Sequence, residues 1–328
     1  MPGEMTKTER VMAALKGEPV DRVPVSAWWH EWDREWSAAD VAAATLEAYR
    51  KYGWDYIKVN PRFTYYAEDW GTMYESFRDR APVIRTRAVE SSDDLLRLRA
   101  VSGTAGVFGE QIEALRLIEE GLKGEAPFIQ TAFTPLAVML VMTGSPKFVR
   151  KLMQEYPDEL EGALAEIELT MIEYCVGSLD AGASGIFLAS VGWGTEDNIS
   201  WEEYERFGRP YDLRMLAAVA GAPFNVFHVC RDRNHLPNLL DHPVAAFHWD
   251  VHGDGNLSLS EAMERTDKAV MGGVRQRTML SGTASEVAAE VTGAIGETGR
   301  SRFLLGPGCS IDPETPDGNL RALAAAAR

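Results

Sequence analysis

The run Ala222-Pro-Phe-Asn-Val-Phe-His-Val-Cys230 decides how this chain is read. It is short and largely apolar, and it ends at the charged turn Arg231-Asp232-Arg233. Such a run fits a buried strand. On a strand His228 and Cys230, two residues apart, point to the same side. Comparable runs lie upstream at 21–28, 55–60, 127–133 and 183–190, and downstream at 244–250, 268–275 and 302–309. Between them stand stretches with helical periodicity: 41–52, 93–99, 109–120, 134–142, 158–179, 201–219, 234–240, 259–266 and 284–296, with a last one at 319–327. Eight strands alternating with helices, and no composition break that would mark a linker, predict an α/β fold: a single (β/α)8 TIM barrel over residues 1–328. A helical extension precedes it, opened by the capping-box spacing of Thr6 and Glu9 and closed near Gly17. Active sites of such barrels lie at the carboxyl ends of the strands, where His228, Cys230, Asp250 and Cys309 all fall.

Imidazole nitrogen and thiolate sulfur are donors that zinc prefers, and three protein ligands leave a position open for a substrate. The expected ligands are His228, Cys230 and Cys309, the last in Gly306-Pro-Gly-Cys309, where glycine lets the backbone approach closely. Asp250 is placed as a fourth oxygen or as a hydrogen-bond partner that orients His228, with His248, His252 and Glu196 as rival donors. The third cysteine, Cys175, sits in an apolar helix and is expected to be inert core. Zinc carrying two thiolates suits holding an incoming thiol as thiolate, a nucleophile for a methyl group. A substrate wall is expected from Trp28, Trp29 and His30 in the tryptophan-rich segment 28–36, from Tyr65, and from Trp193 in the glycine-rich loop 191–197. Arg231 or Arg233 is the candidate partner for a sulfonate or carboxylate on the substrate.

A net charge of −16 argues against a nucleic-acid surface, which needs clustered Lys and Arg. No run of 18 apolar residues and no apolar leader is present, so the reading is a cytoplasmic protein with no membrane segment and reduced cysteines. Monomer and homodimer both remain open.

Several blocks then carry a resemblance: Glu9-Arg-Val-Met-Ala-Ala-Leu-Lys-Gly-Glu-Pro-Val-Asp-Arg-Val-Pro24, His228-Val-Cys230, Gly272-Gly-Val-Arg-Gln-Arg277, Gly282-Thr-Ala-Ser-Glu-Val287 and Gly306-Pro-Gly-Cys-Ser-Ile-Asp-Pro-Glu-Thr-Pro-Asp-Gly-Asn-Leu320. With these the chain resembles the uroporphyrinogen decarboxylase superfamily and, within it, the zinc-dependent corrinoid methyltransferases. The resemblance implies transfer of a methyl group between a corrinoid, carried by a partner protein, and a thiol or small methyl donor. It also carries over zinc ligation to His228, Cys230 and Cys309. Decarboxylases of the superfamily are expected to bear an arginine-containing Met-Arg-Gln-Ala-Gly-Arg segment after the first strand. This chain has Ser26-Ala-Trp-Trp-His-Glu-Trp-Asp-Arg34 there, with only Arg34 to meet a propionate. Decarboxylation of a tetrapyrrole is therefore the weaker alternative, and a non-catalytic corrinoid- or metal-binding relative is a third. The glycine usual after His-x-Cys is Arg231 here.

Overall fold

A computed structural model describes residues 3–327; residues 1, 2 and 328, which the single-domain reading includes, lie outside the described residues. The described residues form nine strands: β1 (Ile57–Val59), β2 (Met73–Glu75), β3 (Val83–Thr86), β4 (Phe128–Phe133), β5 (Gly185–Ala189), β6 (Val226–Val229), β7 (Ala246–Trp249), β8 (Ala269–Val274) and β9 (Phe303–Pro307). Seven of them make one parallel sheet in the order β1-β4-β5-β6-β7-β8-β9, and β2 and β3 form a separate antiparallel hairpin.

The expected first strand, 21–28, is not a ladder. It is an extended segment joined to β9 by one parallel bridge, Val25 to Leu305, with Ser26 N–H donating to Leu305 O (3.2 Å) and Leu305 N–H to Pro24 O (2.9 Å). On its other side Asp55 N–H donates to Val25 O (2.9 Å). Pro24 has no N–H to give, so a continuous ladder cannot form there. The segment nonetheless occupies the eighth stave and closes a TIM-barrel-like α/β fold.

Strand alternation divides the core in two. Tyr56, Ile129, Phe187, Ala189, Val226, Ala246, Ala269, Met271 and Leu304 share the barrel interior, whereas Ile57, Val59, Phe227, Val229, Phe247, Trp249, Val270 and Leu305 pack outward against the helices. By the same period of two, Lys58, His228 and His248 face inward. The first helix, Lys7–Lys16, is capped as the sequence predicts, by the Thr6–Glu9 box and by Gly17 in the left-handed region (φ 72°). It sends Val11 into the interior cluster as a floor.

Elsewhere the sequence reading needs correction. The helix expected over 201–219 is two, Trp201–Phe207 and Arg209–Ala218, broken at Gly208, two residues before Pro210, which lacks a backbone donor. The helices Pro146–Glu155 and Gln276–Ser281 and the β2–β3 hairpin were not foreseen. The hairpin strands are three and four residues long and largely exposed, with only the paired Tyr74 and Ile84 half-buried, so the apolar alternation is too short to mark them.

Candidate metal centre and its cavity

β6 and β7 are paired in parallel with His228 opposite His248, so two inward imidazoles stand side by side at the carboxyl end of the barrel. They form a chain whose protonation geometry dictates. His248 Nε2 lies 2.8 Å from Pro307 O, which can only accept, so that nitrogen carries the proton. The other nitrogen of the neutral ring, Nδ1, then accepts from His228 Nδ1–H at 2.7 Å. The remaining nitrogen of His228, Nε2, is left with a free lone pair and faces Cys309 Sγ at 3.7 Å. Burial, followed by the neighbouring His228, pushes His248 down to about 3, so it stays neutral and the relay keeps its direction.

Two cysteines complete the group. Cys230 directly follows β6 and Cys309 follows β9, and the ligand atoms of His228, Cys230 and Cys309 all lie within 4.8 Å of one another. Cys309 accepts a hydrogen bond from Cys230, which holds Cys309 well below the ordinary thiol range and Cys230 above it. Cys309 is thus the thiol favoured as thiolate, and Cys230 the one that keeps its proton. Zinc bonds of roughly 2.0–2.3 Å at tetrahedral angles put donor atoms roughly 3.3–3.8 Å apart. The His228–Cys309 separation already matches, and the donor set of one imidazole and two thiols fits zinc.

Gly308 makes the approach possible: a Cβ there would lie 2.8 Å from the Asp250 Cα and 2.9 Å from its Cβ. The turn after Cys230 is also unusual, because Arg231 and Arg233 adopt φ of 77° and 44°. The left-handed region costs a side-chain-bearing residue about 1 kcal/mol or more, which is why glycine is expected at 231.

The three ligand candidates open into a cavity with about 820 Å³ of space, its open mouth included. Its wall is mostly aromatic and aliphatic, with Trp28, Phe63, Tyr66, Phe133, Phe187 and Val191 beside the polar His30, Lys58, Asn60 and Ser310. His30 is fixed by Glu35 (2.6 Å) and stacks on Trp32 at 4.4 Å between ring centres.

Other sequence candidates fall elsewhere. Trp29 faces a neighbouring cleft with Arg34, Tyr52 and Asp312. Tyr65 is fully buried behind the wall, its hydroxyl donating to Thr131 O at 2.8 Å. Trp193 is buried in the outer core, and the loop that carries it is pinned rather than flexible, with Thr195 Oγ1 donating to Asp232 O (2.7 Å). Arg231 is exposed and lies outside the cavity wall, and Arg233 is paired with Asp197 and Asp254.

Asp250 is not in the converging donor group. Its Oδ1 accepts from His252 N–H at 3.0 Å, and the partner of His228 Nδ1 is His248 instead. Of the rival donors, His252 is held by Gly273 O (3.0 Å) and Glu196 is exposed. Cys175 is buried and pushed up to about 12 by that burial, as an inert core thiol should be. Trp28 and His30 line the cavity as the sequence reading expects, and that reading missed Lys58, Asn60 and the rest of the wall, Phe63, Tyr66, Phe133 and Phe187. A lysine at an inward position of an otherwise apolar strand was the available signal.

Comparison with known proteins adds a family to this geometry. The chain is 23% identical to the methylcobamide:CoM methyltransferase MtbA of Methanosarcina acetivorans, over 99% of this chain and 98% of that protein. It is 25% identical to a uroporphyrinogen decarboxylase of Chlorobium phaeobacteroides over 72% of this chain and 69% of the relative. Among solved structures, a methyltransferase from Methanosarcina mazei shares the fold with a TM-score of 0.86, at 24% identity and with 99% and 98% of the two chains covered. The model of the uroporphyrinogen decarboxylase (URO-D) family matches residues 33–328, and the chain, with its inward His-x-Cys strand and distant Gly-Pro-Gly-Cys turn, belongs to that family.

Proposed function

We propose that this protein is a methyltransferase that moves a methyl group between a corrinoid, carried by a partner protein, and a small thiol, at a zinc held by His228, Cys230 and Cys309. The observation that carries this reading is the convergence of those three donor atoms within 4.8 Å at the base of an apolar cavity. Zinc bound there would keep a thiol ionised at neutral pH and so supply the nucleophile. The chain's own residues prepare the rest. The Pro307–His248–His228 relay presents a lone pair from Nε2 in a fixed direction. The aromatic wall excludes water from a sulfur whose nucleophilicity hydration would blunt.

In the net reaction a carbon–cobalt bond is exchanged for a carbon–sulfur bond. The electron pair of the broken bond remains on the corrinoid, and the thiol proton passes to solvent.

Near-full-length similarity to methylcobamide:CoM methyltransferases supports the reading. The decarboxylase alternative needs cations for the carboxylates of a tetrapyrrole. Arg62, the only arginine lining the cavity among the described residues, is engaged by Glu68 and Glu110, and Arg34 is paired with Glu47.

The test is zinc analysis together with demethylation of methylcobalamin by a panel of thiols. About one zinc per chain and thiol-dependent demethylation are expected, both lost in His228→Ala and Cys309→Ala. Demethylation that persists in zinc-free protein would overturn the assignment.

A further inference from the structure

Between the helix Ala38–Tyr52 and the extended segment at 21–28 lies a second space of about 520 Å³, its opening included. Ala44 and Ala48, one turn apart on that helix, face it, and their small side chains keep it open. It stands in series with two others. Trp28, Lys58 and Asn60 line both this space and the metal-bearing cavity. Trp29, Glu31, Arg34 and the two alanines line both this space and the outer cleft that Asp312 borders. A route therefore runs from the metal centre to the protein surface without crossing the mouth of the barrel.

This route is lined by hydrogen-bonding groups where the wall of the metal cavity is largely apolar. Ser26 Oγ, Trp54 Nε1 and Asn60 Nδ2 border it, and all three are buried without a hydrogen-bond partner. Ser26 and Trp54 are 0% and 2% exposed. The Asn60 amide is oriented across the partition. Its Oδ1 accepts from Lys58 (2.6 Å) and lies 3.5 Å from Ser310 Oγ, and both of these residues line the metal cavity, so Nδ2 is turned the other way. Folded proteins seldom leave buried polar groups unpaired, and three of them around one narrow space are the setting in which ordered water is held. At the outer end, among the described residues, the Glu31 carboxylate accepts only from Trp29 Nε1–H (2.9 Å) and the Asp312 carboxylate only from the Glu314 N–H (2.8 Å). Two carboxylates without a cation of their own thus stand where the route reaches the surface, and their field favours a departing positive charge.

We propose that this space is a water-filled side passage through which the proton of the incoming thiol leaves while the corrinoid covers the mouth of the barrel. The cargo rests on the methyltransferase reading. A corrin ring that brings its methyl group to the sulfur centre closes the mouth, and the wall that remains is mostly aromatic and aliphatic. The S–H bond of the thiol breaks and its electron pair stays on sulfur. The proton passes to water at the Lys58–Asn60 partition, along the waters held by Ser26 and Trp54, and out past Glu31 and Asp312 to bulk solvent.

Hydrogen exchange reads the water without any turnover. The Trp54 indole N–H, assigned by its loss in Trp54→Phe, should exchange with D2O about tenfold or more faster than that of Trp249, which is as deeply buried but donates to Leu257 O at 2.8 Å. Ala44→Leu fills the passage from the helix side and should slow the Trp54 exchange about tenfold. Proton release is then followed with an indicator dye as 2-mercaptoethanol is added to zinc-loaded full-length protein, with the mouth open or covered by methylcobalamin. Wild-type protein should release about one proton per chain at the same rate in both states. Ala44→Leu should keep that rate with the mouth open and lag about tenfold with it covered. Ala48→Leu, one turn along, should act alike and guards against an Ala44 variant that fails to fold. Trp54 exchange as slow as that of Trp249, or an unslowed release from both leucine variants under methylcobalamin, would overturn the proposal. Proton release that follows this pattern with no methylation of the thiol would refute the methyltransferase reading and leave the passage. No release from the wild type would overturn both.

Discussion

His228 is a credible ligand because of the residue beside it. The His248 ring fills the second position of a relay that ends on a backbone carbonyl, and a carbonyl admits only one protonation pattern. Replacing His248 with Phe would preserve much of the ring volume and remove the nearer acceptor for His228 Nδ1–H, leaving the backbone carbonyl of residue 248 at 3.2 Å. We expect zinc affinity, measured by competition with a chromophoric chelator, to fall about 10–100-fold while the protein stays folded. An unchanged affinity would show that His228 is oriented by something else. The sequence made His228, Cys230 and Cys309 legible because donor residues at strand ends in an apolar context have few other uses. It misplaced the orienting role on Asp250, since both candidates sit near the end of the same run. Only the pairing register, with His228 opposite His248, decides between them.

The elements were legible wherever local pattern and tertiary role agree. Strands β4 to β9 sit in continuous apolar runs because both faces are buried, and the capped first helix follows from Thr6, Glu9 and Gly17. The first stave was overread as a strand because Pro24 removes a donor without removing the apolar pattern. The hairpin was missed because each strand turns only one half-buried apolar residue, Tyr74 or Ile84, inward. The first helix also has a role its pattern does not announce. Arg10 is 3% exposed and bonds Asp21 and the fully buried Asp55, which Arg22 also holds. This network fastens the helix to the segment that closes the barrel.

Arg10→Met should lower unfolding stability by about 3 kcal/mol in urea titrations, since Asp21 and Asp55 each lose a partner. The hydrogen bond from Arg10 holds the Asp21 carboxyl well below the usual carboxylate range. A group whose pKa is depressed in the folded state stabilises above its unfolded pKa, and that contribution is lost as pH falls toward the folded value. The wild-type advantage over Arg10→Met should therefore be full at pH 6 to 8 and shrink below about pH 4. An advantage that does not change with pH would place the Arg10 contribution in packing rather than charge.

At the scale of the molecule, one end of the barrel carries the chemistry and the other is sealed by Val11 and the Arg10 network. No described helix is long and apolar enough to cross a membrane. The net charge of −16 is not mirrored in the cavity, where Lys58 stands without a carboxylate of its own. Barrel architecture was legible from the count of alternating segments. The cavity's contents were not, because Lys58, Phe133, Phe187 and Ser310 come from separate staves that only closure of the sheet brings together.

The central claim is that a zinc bound by one imidazole and two thiolates takes a thiol into its open position. X-ray absorption at the zinc edge of the loaded protein reads this directly. The account predicts about two sulfur neighbours at roughly 2.3 Å with the remainder nitrogen or oxygen, rising to about three sulfurs when a thiol acceptor is added. A zinc site without sulfur neighbours, or a sulfur count that does not change with thiol, would contradict it.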